Sequence, residues 1–233
     1  MKITRLVSFS VLLLVTMLAC SAASNIVATP TPASTPIPDS TPTPLPSPTP
    51  NVVLFAESEF VDACNMDSTA DVERFVENGQ FNMRVSTPLY VAWTECTKAE
   101  YTDFVMEVDA TQISGPDNNA YGVIFRYGIG ADEFYAFLIS GDGLYALTVD
   151  GASRAEAEFL VPWTDSSAIK QGTQTNHMKI SAAGSTIKYY INDQLLGEAQ
   201  DARFSTGTVG FFAGTMGDGG VQVSFDNLTV SQP

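Results

Sequence analysis

Glu107 and Asp109 stand two residues apart in Phe104-Val105-Met106-Glu107-Val108-Asp109-Ala110, which puts both carboxylates on one face of a strand. Paired carboxyl groups cleave glycosidic bonds when they stand roughly 5–9.5 Å apart and one of them can donate a proton. Gln112, the next polar candidate, has no carboxyl proton to give. It is also an odd number of residues from Glu107, so a strand without a bulge turns it to the opposite face. His177, the single histidine, alternates with Met178 and Ile180 and is expected to face solvent. No Gly-x-Ser-x-Gly elbow accompanies it, so a serine triad has no support. No catalytic residue is assigned.

Residues suited to binding are better supplied. Sugars are held by flat aromatic faces and a few planar polar groups. Gly122, Ile124 and Arg126 are expected on one strand face, with Tyr135 on a neighbouring strand. If that face is concave, Arg126, Tyr135, Glu107 and Asp109 converge on it, with Trp93, Tyr145 or Trp163 near the rim. The plainer alternative places the aromatics in the core and pairs Arg126 with Glu107 or Asp109. Asp117-Asn118-Asn119 and the loop Gly214–Gly220 offer oxygens to a structural calcium, although neither loop alone supplies the six to eight it takes. No other cofactor is implied.

The elements that carry these residues read as strands. Phe81, Met83 and Val85 alternate with polar neighbours, as do Phe104, Met106, Val108 and Ala110; Met178, Ile180 and Ala182; Ile187, Tyr189 and Ile191; and Val221, Val223 and Phe225. Period-two patterning gives one core face and one wet face. Asn78-Gly79, Gly141-Asp142-Gly143, Asp150-Gly151, Ala183-Gly184 and Asn192-Asp193 punctuate the runs with residues that tolerate the positive φ of tight hairpins. Only Ser166–Gln171 offers a helical turn. Ten to fourteen short strands in about 180 residues predict an all-β, two-sheet antiparallel jelly-roll sandwich over 52–233.

Ahead of it lie two other segments. Lys2 and Arg5 precede an apolar run from Leu6 to Ala19, too short to span a bilayer and the right size for a signal-peptide core. Met17-Leu18-Ala19-Cys20 resembles a bacterial lipobox, which implies a leader over 1–19 and lipid on Cys20. An ordinary secretory leader cut near Ala23 is the alternative. Nine of the thirteen prolines fall between Pro30 and Pro50. Proline lacks an amide donor and drives its predecessor to extended backbone, so 20–51 reads as a disordered Pro/Thr-rich linker. As polyproline II it reaches on the order of 60–95 Å.

Loss of Lys2 and Arg5 leaves nine basic against 26 acidic residues, a net charge near −17. That argues against nucleic acid and against anionic headgroups as partners. Cys64 and Cys96, an even pair in an exported domain, are most simply a disulfide, with two free buried thiols as the alternative. One histidine and no close cysteine spacing leave no zinc motif. Asn227-Leu228-Thr229 matches a glycosylation sequon, which in the closing strand is better read as chance.

Several segments go beyond generic β-structure: Phe104–Ala110, Tyr121-Gly122-Val123-Ile124-Phe125-Arg126-Tyr127, Phe134–Ser140, Asn176–Ile180, Ile187–Asp193, Gly207–Phe212 and Phe225-Asp226-Asn227-Leu228-Thr229-Val230. In this order they resemble the concanavalin A-like lectin/glucanase superfamily over residues 54–231, nearest to laminin G-like modules and the 3-keto-disaccharide hydrolase domain. Family 16 glycoside hydrolases of that superfamily carry Glu-x-Asp-x-(x)-Glu, whose last glutamate is Gln112 here. With the lipobox, these readings favour a membrane-anchored, extracytoplasmic protein whose jelly-roll domain binds carbohydrate or another extracellular ligand without chemistry. Two rivals stand behind this reading: a carbohydrate-active enzyme of the 3-keto-disaccharide hydrolase type, which the superfamily resemblance implies, and an adhesion domain for a protein partner.

Overall fold

The computed structural model describes residues 52–128, 130–151 and 156–233. The leader, Cys20 and the Pro/Thr-rich linker lie outside these residues. Fourteen strands follow one another: β1 (Val53–Glu57), β2 (Val72–Glu77), β3 (Gln80–Val85), β4 (Val91–Glu95), β5 (Phe104–Ser114), β6 (Ala120–Tyr127) and β7 (Glu133–Ser140), then β8 (Leu144–Gly151), β9 (Glu158–Asp165), β10 (Asn176–Ala183), β11 (Thr186–Ile191), β12 (Gln194–Gln200), β13 (Thr208–Gly214) and β14 (Val221–Ser231). No helix occurs among the described residues. Ser166–Gln171 makes only a turn, with Ile169 N–H donating to Ser166 O.

The strands form two antiparallel sheets. One runs β12-β11-β10-β5-β14-β3-β2, with β1 also paired to β14, and the other runs β4-β13-β6-β7-β8-β9. This is an all-β jelly-roll-like sandwich of two antiparallel sheets, as the period-two pattern predicts, and it is consistent with the concanavalin A-like fold that the resemblance implies. Most of the core lies between the sheets and joins them through aromatic pairs. Phe211 of β13 stacks on Phe225 of β14 with centroids 4.1 Å apart, and Phe60 meets both Phe81 and Phe211. Such pairs add about 0.5–1.5 kcal/mol each beyond the area they bury.

The two sheets differ in how their outer faces are made. In β10 and β11 buried and partly exposed residues alternate strictly, giving the larger sheet a polar outer face. In β6, β7 and β13 nearly every residue is buried. The smaller sheet therefore carries a second apolar cluster on the face turned away from its partner, formed by Ala120, Ile124, Phe134, Ala136, Leu138 and Phe212. Trp93, Tyr127 and Trp163 pack against that cluster.

Candidate functional site

The four residues expected to converge do not. Glu107 and Asp109 project from β5 on the outer face of the larger sheet, where His177 and Lys179 of β10 stand opposite them in register. His177 Nδ1 lies 2.8 Å from Asp109 and Nε2 3.6 Å from Glu107, while Lys179 Nζ reaches Glu107 at 2.9 Å. Asn227, at φ 54 in the bulge of β14, donates to the other Asp109 oxygen at 3.0 Å. Both carboxylates are thus held in a polar network on the partly exposed face of a strand, and so is His177. Gln112 turns inward, as its odd spacing requires, and donates to Gly115 O and Pro116 O.

Arg126 and Tyr135 belong to the smaller sheet. The register between β6 and β13 shifts at Arg126, which sits at φ 50 between the paired residues Phe125 and Tyr127. That bulge removes Arg126 from the face of Gly122 and Ile124. Its guanidinium is 0% exposed and donates to Phe204 O at 3.0 Å and Thr102 O at 2.8 Å. Tyr135 faces the other sheet, stacks on Phe125 and donates its hydroxyl to Asp201 at 2.5 Å. Burial raises the Tyr135 hydroxyl to a pKa of about 12. Arg126 and Tyr135 hold the loop before β13 in place, and no surface patch contains both them and Glu107. Tyr145 is likewise a core residue.

Trp93 stands at the margin of the smaller sheet's outer face, away from Glu107, Asp109 and the buried Arg126. It stands in register with Phe212, Gly122, Leu138 and Ala146 across five strands. Beside it opens a cleft of about 260 Å³ lined by Asn65, Asp67, Thr69, Arg74, Trp93, Thr94, Glu95 and Tyr127. The cleft forms where the chain after Cys64 crosses the free edge of β4. Asn65 N–H donates to Glu95 O at 3.0 Å, and the Thr94 hydroxyl donates to Asn65 O at 2.9 Å. Arg74, on the edge strand of the other sheet, donates to Trp93 O at 2.9 Å and to Asp67 O. These contacts occupy edge carbonyls that would otherwise invite strand pairing. The Cys64–Cys96 disulfide, present as expected, clamps the segment beside Asn65 and Glu95.

One carboxylate orients both aromatic rings. Asp132 Oδ1 accepts the Trp93 indole N–H at 3.1 Å and the Tyr127 hydroxyl at 2.9 Å. Burial, then Asp132 and Glu95, push the Tyr127 hydroxyl up to about 12, so it stays a neutral donor. Burial lowers the Arg74 pKa from its ordinary value. Arg74 Nε and Glu95 Oε2 are buried without a hydrogen-bond partner among the described residues. Two braced rings beside the exposed polar side chains of Asn65, Asp67 and Thr69 make an arrangement that suits a polyhydroxylated ring.

No family model matches the chain, and no curated protein matches it. Solved structures do. The carbohydrate binding module CBM66 from Bacillus subtilis is 20% identical, with a TM-score of 0.57, over 73% of this chain and 96% of that one. A Bacillus subtilis protein of unknown function with a galectin-like fold is 10% identical at a TM-score of 0.57, over 78% and 96%. A structure from work on endo-acting O-glycanases that human gut microbiota express to initiate mucin breakdown is 11% identical at 0.53, over 78% and 99%. At these identities the likeness is one of fold.

A second cleft, of about 290 Å³ and mostly apolar, lies by Trp163, with Asn118, Ser140, Asp142, Leu144 and Met216 around it. The two loops considered for calcium meet near it, Met216 N–H donating to Asn119 Oδ1 at 3.1 Å. Among the described residues no group of three or more His, Cys, Asp or Glu side chains gathers to hold a metal. Of the residues around the first cleft, the sequence singles out Trp93 and not Asp132, Tyr127, Arg74 or Glu95. Asp132 and Tyr127 come from one hairpin and Arg74 from the other sheet, so only folding brings them together. The proximity of Glu95 to Cys96, two residues from Trp93, was the one signal available.

Proposed function

We propose that this protein recognises carbohydrate at the Trp93 cleft and presents that cleft outside the cell. The reading rests on one observation: Asp132 Oδ1 fixes the Trp93 and Tyr127 rings at a cleft whose wall also carries the polar side chains of Asn65, Asp67 and Thr69. The named carbohydrate-binding module among the similar folds supports it. In this proposal residues 1–19 are removed as a lipoprotein leader, acyl chains on Cys20 anchor the protein in the membrane, and 20–51 spaces the 52–233 domain from the surface. Two or more chains give stable anchoring where one does not. The Cys64–Cys96 bridge supports an extracytoplasmic, oxidising location.

A catalytic reading stands level with simple binding, because similar folds include the O-glycanase structure. Its specific support is that Glu95 in the cleft wall and Asp132 behind the two rings place two carboxylates around Tyr127. Cleavage of a glycosidic bond needs such a pair. Against it, the outer positions of β7 within the face are Phe134, Ala136, Leu138 and Ser140, with no carboxylate among them.

A glycan array probed with the full-length protein, followed by turnover assays on every bound glycan, tests both uses. Binding that Trp93→Ala abolishes, with no products, supports recognition. Products that disappear in Glu95→Gln and Asp132→Asn support the enzyme. Failure to bind or cleave any glycan overturns both. Incorporation of a palmitate analogue that Cys20→Ala removes tests the anchor, and labelling that persists in this variant overturns it.

A further inference from the structure

We propose that the Trp93 cleft selects neutral saccharides and rejects anionic ones such as uronates, sialylated sugars and sulfated sugars. This rests on the reading of that cleft as a glycan site. The acidic groups there are Asp67 and Glu95 in the wall, with Asp132 behind the two rings. Arg74 is the one cation among the described lining residues. Recognition of a carboxylate or sulfate by arginine relies on the fork of parallel N–H groups. Both terminal nitrogens are already engaged, one donating to Asp67 O and the other to Trp93 O at 2.9 Å, which ties the guanidinium to the wall. The edge that carries Nε is closed, because Nε is buried.

An anion entering the cleft would therefore meet carboxylates without a compensating bidentate partner, and like charges brought together out of water are costly. A sugar hydroxyl meets the opposite situation. It can donate to the Tyr127 hydroxyl oxygen, whose own proton goes to Asp132, and accept from the exposed Asn65 side-chain amide. Lys98 lines the adjoining cleft, but Asp62 and Glu95 line it too. The chain's net charge of −15 adds a long-range field that slows the approach of anions.

The test is calorimetric titration of the full-length protein with matched pairs, namely the neutral glycans bound on the array and their uronate, sialylated or sulfated counterparts, lactose against sialyllactose included. Each is repeated with Trp93→Ala, and with Tyr127→Ala in case the first variant folds poorly; circular dichroism checks both. The expected result is about tenfold or greater preference for the neutral member, lost with the ring. Anionic members bound equally or better, with that binding abolished by the ring variants, overturn the selectivity and leave the cleft as the glycan site. Absence of binding, or binding indifferent to both variants in folded protein, overturns the site itself and the selectivity with it.

Discussion

The indole N–H of Trp93 on β4 donates to Oδ1 of Asp132 at 3.1 Å, although the two residues lie 39 positions apart and Asp132 belongs to the turn between β6 and β7, neither of which pairs with β4. Asp132 holds this geometry at φ 53, a backbone region that aspartate tolerates better than most side chains. Asp132→Ala is expected to free both rings and weaken glycan binding about tenfold, equivalent to about 1.4 kcal/mol. Asp132→Asn keeps the accepting oxygen and should bind nearly as wild type. Titration with an array-identified glycan, together with indole fluorescence, distinguishes the two; equal loss in both variants refutes a positioning role.

Arg126→Ala should destabilise the fold by about 3 kcal/mol, because Phe204 O and Thr102 O lose their partner in a site closed to water. Glycan affinity of the folded fraction should not change. Urea unfolding and titration on the same sample check the two halves of this prediction. A variant that folds normally and loses its ligand would restore Arg126 to the binding surface.

Replacing Cys64 and Cys96 together by alanine opens a loop with a sequence separation of 32 residues. The chain-entropy model gives a loss of roughly 3–4 kcal/mol for a loop of this size. Because Asn65 and Glu95 adjoin the cysteines, glycan affinity should fall as well, even at temperatures where the domain remains folded. Unchanged affinity in the folded double variant would show that the bridge does not shape the cleft.

Asp201 carries an acid-sensitive part of the stability. Burial raises its carboxyl, but hydrogen bonds from Arg203 and Tyr135 outweigh this and bring the pKa from the ordinary 3.8 to about 2. A depressed carboxylate contributes its stability above the unfolded pKa and loses it as pH falls through the folded one. The wild-type unfolding midpoint should therefore drop between about pH 4 and pH 2 more steeply than that of Asp201→Asn. Parallel thermal scans across this range check it, and superimposable slopes contradict it. Arg203 also forms a two-pronged contact with Glu158 at 2.6 and 2.8 Å, so Arg203→Ala should flatten the same limb.

The fold was legible because its evidence is local. Alternation in β5, β10 and β11 requires only that one strand face meet a core and the other meet water, and both faces are visible in consecutive residues. The same rule turned Gln112 away from Glu107 correctly. It failed at Arg126, where one inserted residue changes the face, and bulges leave no period-two signature in a single strand. It also said little about β6, β7 and β13, whose unbroken apolar runs have two buried faces.

By itself, then, the sequence determined an all-β sandwich and an even cysteine pair suited to bridging, while the leader and spacer it suggests are proposals about residues ahead of the described domain. Each follows from short-range chemistry: patterning, cysteine arithmetic, and the conformational restriction of proline. Which side chains share a surface was decided by the tertiary structure alone. Asp132 meets Trp93, and Arg74 of one sheet reaches the edge of the other, because strand order and sheet packing juxtapose residues that lie far apart along the chain.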